Sequence, residues 1–109
     1  MGLVENPETI SLIHESDGLI EGFILGSLIP APPVYDPGGP TCLVDDFVVA
    51  SPKDWGTTGR LLLTDLCKQA AQLGAAQVVV VCGPLDETKR RLLLEQDLTV
   101  ASEWFTHVL

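Results

Sequence analysis

The sequence predicts a mixed α/β domain with the element order β-β-β-α-β-α-β, its helices packed on one sheet. Three observations carry this. Two apolar stretches flank the turn signal Ser16-Asp17-Gly18, as in an antiparallel hairpin. Leu61, Leu62, Leu66, Ala70 and Leu73 recur at helical spacing. The valine run 78–81 stands between two helical patterns, as a central strand covered on both faces would.

Each element follows in chain order. Residues 9–15 form the first strand and 19–29 the second, with Gly22 and Gly26 marking a bulge or a close backbone approach. Residues 30–40, rich in proline and glycine, can only be a loop. Residues 41–51 give the third strand, an apolar run interrupted by Asp45 and Asp46. A helix covers 58–73, with Thr57 or Thr58 as N-cap and Gly74 just past its end. The fourth strand spans 76–83, and a second helix covers 87–95 behind Asp86, with Glu87 opposing the dipole at its start. The tail, 98–109, reads as a last strand. The strand–helix–strand unit 41–82 should be a right-handed parallel crossover.

Composition bounds the function. A chain of 109 residues, 46% hydrophobic and 19% charged, is one globular domain with a real core. No apolar run reaches the roughly 18 residues of a membrane span. The first ten residues lack the regions of a signal peptide, and Asn6 breaks a myristoylation signal, so a cytoplasmic location is expected. Cys42, Cys67 and Cys82 form no CxxC pair, and His14 and His107 are far apart, so neither a disulfide framework nor a metal site is expected. The net charge of −9 disfavours nucleic acid and anionic membranes; it suits cationic substrates such as amines, or simply solvates the surface.

The segment Trp55-Gly56-Thr57-Thr58-Gly59-Arg60 joins the third strand to the first helix. A helix N-terminus offers unpaired N–H groups and a partial positive charge, and glycines let a ligand approach the backbone, so a pyrophosphate could sit here. Turn and cap chemistry alone explains the same residues. The segment is neither a Walker loop nor a GxGxxG fingerprint.

Set in its element order, "DDFVVASPKDWGTTGRLLL" resembles the GNAT superfamily of N-acetyltransferases. In that family the central strand leads into a turn of the form Arg/Gln-x-x-Gly-x-Gly/Ala, whose backbone N–H groups bind the pyrophosphate of acetyl-CoA. Gly59 matches the last position, while Asp54 and Thr57 depart from the first and the middle. "RLLL" resembles the family's "RALL". Downstream, the family pattern Asn-x-x-Ala-x-x-x-Tyr-x-x-x-Gly-Phe falls on Asp86, Lys89, Leu93 and Asp97-Leu98, so Leu93 replaces the tyrosine that often protonates the departing thiolate. "EWFTHVL" resembles the aromatic final strand. The match covers about residues 9–109 and begins near the family's second strand. The first strand and helices, one wall of the acceptor site, are then expected from a partner subunit, or the site is open.

The resemblance implies acetyl-CoA as co-substrate and direct transfer to a small or protein-borne amine. It places Phe47, Val48 and Val49 along the pantetheine arm and the thioester carbonyl, through their backbone, and Gly56, Thr57, Thr58, Gly59 and Arg60 around the phosphates. Asp45 and Asp46 are the candidate bases. Neighbouring strand residues point to opposite faces, so one should face the active side, and a half-buried carboxylate there would have a raised pKa. Glu21 is an alternative base. All three acids are otherwise ordinary solvated or hydrogen-bonded residues. Tyr35 lies in the proline-rich loop, which could act as a lid or be plain surface. Cys82, at the end of the valine strand, is expected to be a small buried hydrophobe. Trp55 should close the core, and His14 and His107 should be structural. Lys89, Arg90 and Arg91 form a basic cluster, read either as a charged outer face or as a site for the 3′-phosphate of CoA. Two other readings compete: a non-catalytic GNAT-like module that binds CoA or a protein, and a small interaction domain that binds no nucleotide. An open sheet edge would favour a homodimer.

Overall fold

A computed structural model of the chain describes residues 9–30, 37–83, 85–101 and 105–109. Four strands, β1 (Thr9–Ser16), β2 (Leu19–Ile29), β3 (Thr41–Val49) and β4 (Gln77–Val80), form one sheet in the order β1-β2-β3-β4. The first three are antiparallel and β4 runs parallel to β3. Two helices complete the fold, α1 (Thr58–Gln72) and α2 (Glu87–Glu95), with a 3₁₀ turn, Pro52–Gly56, ahead of α1. The architecture is the mixed α/β sheet with packed helices that the sequence predicts.

Local chemistry sets the connections. Asp17 and Gly18 both have positive φ, 54° and 80°, the backbone a two-residue hairpin needs. Gly74, with φ 96°, ends α1 as expected. Thr57 and Asp86 hold the N-cap positions of α1 and α2, but neither side chain bonds a helix amide. The Thr57 hydroxyl turns back to the Asp54 carbonyl at 3.3 Å.

The core lies between α1 and one face of β1–β3. Leu62, Leu63, Leu66 and Ala70 of α1 meet Ile10, Ile24, Cys42, Val44 and Phe47 of the sheet. Gly22 and Gly26 allow this contact. A Cβ on Gly26 would lie 2.9 Å from Cys42 Sγ and 3.1 Å from Leu66 Cδ1, and one on Gly22 3.0 Å from Thr58 Cγ2. The second and third strands also break register between Leu25 and Gly26, so this stretch holds both the bulge and the close approach.

Two expectations are corrected. The valine run is not doubly covered. Val78 and Val80 pack on the core, their alternates do not, and Val81 is 68% exposed, because β4 is four residues long and sits at the sheet's edge. The last strand is not formed among the described residues: 98–101 and 105–109 carry no strand, and Phe105, Val108 and Leu109 are exposed. Past α2 the chain turns at Asp97 (φ 69°), and the short β4 offers little edge to pair with. His107 is therefore an exposed residue on no strand, and Trp104 and Tyr35 fall outside the described residues.

Candidate functional site

The strand β3 carries the site, and its bulge shapes it. Asp46 lies opposite Leu25 and Val44 opposite Gly26, which leaves Asp45 as the extra residue. The bulge resets the alternation, so Asp45 and Asp46 share the sheet face away from α1 while Phe47 turns inward. This corrects the expectation that the two point to opposite faces, one of them half-buried: both lie on the same face and both are exposed. Ser27 Oγ donates to Asp45 Oδ2 at 3.4 Å. Glu21 is engaged elsewhere, 3.3 Å from His14 Nε2.

Beyond Val44 the two parallel strands part. The pairing with β4 covers only residues 41–44, so 45–49 face an open edge on that side. The ladder on the other side decides which groups point there. Ala50 N–H donates to the Glu21 carbonyl at 2.9 Å, so the antiparallel alternation turns Val48's N–H and C=O toward β2. Phe47 and Val49 then present theirs to the open edge. Of the three expected backbone positions, two face the opening and Val48 does not.

The turn to α1 closes the lower end of this edge. Thr57 N–H is spent on the Asp54 carbonyl at 3.2 Å, and the amides of Thr58, Gly59 and Arg60 start α1 without helical acceptors. The two glycines differ. Gly56 is exposed, and a Cβ there would meet nothing within 4 Å. Gly59 is buried; a Cβ there would lie 2.9 Å from Trp55 Cε3 and 3.1 Å from Leu92 Cδ2. Its bareness serves the packing of α1 on Trp55 and α2. Arg60 is exposed beside the turn.

The other wall comes from α2. Lys89 Nζ donates to the Phe47 carbonyl at 3.1 Å and stands 5.5 Å from the Phe47 ring centre and 5.4 Å from that of Trp55. Those rings meet edge to face at 4.9 Å and 88°. The basic cluster is thus split: Arg90 and Arg91 are on the outer face and Lys89 turns inward. The sequence carried a signal for this, since Lys89 stands one turn before the buried Leu92 and Leu93. Leu93 is core, so no hydroxyl stands at that position. The Cys82 thiol is pushed up by burial, partly offset by Lys89 and Arg90; its contacts are carbonyls, Gly83 O at 3.5 Å and Asp86 O at 3.8 Å. Burial of this kind disfavours the thiolate, the form a nucleophile needs. A hollow of about 380 Å³ on the outer face of α2 is lined by Glu87, Arg90, Arg91, Leu94 and Glu95, none of them residues of this edge.

No family model matches the sequence, and no curated protein does. Solved structures do. The aminoglycoside N-acetyltransferase AAC(6')-Iy, solved with CoA, matches at TM-score 0.80 and 12% identity over 95% of this chain and 78% of its own. The 6'-N-acetyltransferase AAC(6')-Ih from Acinetobacter baumannii matches at 0.74 and 8%, over 95% and 73%. The ribosomal-protein-alanine N-acetyltransferase from Brucella melitensis matches at 0.67 and 20%, over 96% and 72%. The fold of this chain is that of the GNAT acetyltransferases.

Proposed function

We propose that the chain is an acetyl-CoA-dependent N-acetyltransferase that transfers the acetyl group directly to a small or protein-borne amine. The observation that carries this is the open edge of β3 at Phe47 and Val49, directly above the unpaired amides that begin α1. A pantetheine arm has amides of its own and can pair along that edge as an added strand. Its pyrophosphate then reaches Thr58, Gly59 and Arg60 at the helix start, with Gly56 giving clearance. The edge N–H of Phe47 or Val49 polarises the thioester carbonyl. The amine attacks that carbon, the C–S bond breaks as CoA leaves as thiolate, and Asp45 or Asp46 takes the surplus proton directly or through water. The two carboxylates also fit a cationic acceptor, as does the net charge of −9.

The test is isothermal titration with acetyl-CoA, desulfo-CoA and ATP, followed by an amine screen for turnover. Gly59→Glu is a poor probe because its side chain would collide with Trp55. Gly56→Glu adds a negative charge where space is open, and should weaken acetyl-CoA binding about tenfold while leaving the thermal midpoint near that of the parent. Binding of neither CoA ligand at millimolar concentration would rule the reading out and leave a small interaction domain.

The buried Leu93 favours a second reading, a CoA-binding or protein-interaction module without turnover, because no hydroxyl there can protonate a thiolate. Saturable acetyl-CoA binding without acetylation of any amine would select it. The position of β4 as the last strand of the described sheet supports a homodimer formed through that side. Sedimentation velocity checks that state. No helix among the described residues is long and apolar enough to cross a membrane.

A further inference from the structure

Lys89 is oddly placed for a structural residue. Its ammonium is half-buried against a neutral carbonyl and two aromatic rings. Among the described residues no carboxylate pairs with it, in a chain where fifteen acidic residues face six basic ones. Desolvating an ammonium without a counter-ion is costly, and a methionine would fill the same space without that cost. The carbonyl uses one of its three N–H donors, leaving two for another acceptor.

Its position says which acceptor. Phe47 turns both its N–H and its C=O to the open edge, and the ammonium is held at that C=O. A thioester whose carbonyl bonds the edge N–H has its sulfur one bond farther along the same edge. We propose that Lys89 is a catalytic residue that stabilises the departing thiolate by a charge-assisted hydrogen bond, in place of the hydroxyl that Leu93 lacks. This rests on the acetyl-CoA reading above.

The step balances without a further reactant. The amine lone pair forms the C–N bond, and the C–S pair leaves with the sulfur. The surplus proton on nitrogen goes to Asp45 or Asp46, directly or through water, and from there to solvent. The thiolate is held by the Lys89 ammonium, then takes a proton from water to give free CoA. Lys89 ends the cycle as it began it.

The experiment compares CoA with desulfo-CoA, which differ by the thiol. At about pH 10, above the ordinary range of a cysteine thiol, much of the CoA is thiolate. The parent protein should bind CoA about tenfold more tightly than desulfo-CoA, the size of one charge-assisted hydrogen bond at a partly exposed site. K89M should erase that preference while leaving desulfo-CoA affinity unchanged; K89R, which keeps the charge, should restore most of it. On a turned-over amine, K89M should lower kcat at least about tenfold with little change in KM for acetyl-CoA. Should K89M fail to fold, K89Q gives the same comparison. Equal loss of both ligands in K89M would make Lys89 a structural pin and overturn the proposal. So would an unchanged kcat, or a parent that binds CoA and desulfo-CoA alike. A parent that binds neither would overturn the acetyl-CoA reading itself, and this role with it.

Discussion

The two flanks of the sheet are built differently. Where β1, β2 and β3 meet α1, bare glycines let helix and sheet approach closely, and Ile24, Leu63 and Leu66 are at most 1% exposed. Where β4 and α2 follow, strands part, apolar residues face solvent and a lysine enters the interior. The first flank is closely packed. The second leaves backbone groups unpaired, and unpaired backbone is what an extended cofactor arm can use. The close packing of α1 and the proposed cofactor edge therefore lie on opposite sides of β3.

This contrast can be broken by measurement. The largest effect is expected at Leu66, fully buried on the packed flank: Leu66→Ala should lower the unfolding free energy by about 3 kcal/mol in a denaturant titration. Next comes Gly26→Val, whose added carbons meet Cys42 and Leu66; it should cost about 2 kcal/mol by overpacking. A smaller effect follows pH. Burial raises the Cys42 and Cys67 thiols, with the charges of Cys67 and Asp45 adding to the shift at Cys42. The folded state therefore holds these protons longer than the unfolded chain does. Their contribution is fully present below the unfolded thiol value near 9.0 and is lost as pH rises through the folded one. Denaturant midpoints should fall above about pH 9, and Cys67→Ala should flatten that fall. The smallest effect is expected on the open flank: Val81→Ser should stay within about 0.5 kcal/mol. A cost near that of Leu66→Ala would show that a second copy covers this side in solution, which sedimentation would confirm.

Much of the fold was legible because it is written locally. Asp17-Gly18 specified the hairpin through positive φ, and β2 and α2 run over the residues their patterns predict. Of the residues at helical spacing, Leu62, Leu66 and Ala70 are buried, whereas Leu61 and Leu73 are exposed and Leu63, outside that set, is core; Gly74 marked the end of α1. The turn was read correctly as the place where a strand meets a helix. Its two glycines were not told apart, since only the neighbours Trp55 and Leu92 make Gly59 a packing residue and leave Gly56 open.

By itself, then, the sequence determined what neighbours along the chain control: the order of the first six elements, most of their boundaries, the hairpin and part of the buried face of α1. Only the tertiary structure decided the bulge that puts Asp45 and Asp46 on one face, the edge position of β4 in the described sheet, the absence of strand at the described residues 98–101 and 105–109, and the inward turn of Lys89. Each of these depends on pairing or packing between residues distant in the chain. A one-residue slip in register reverses which face a side chain takes, and neither hydrophobicity nor spacing records where two strands part.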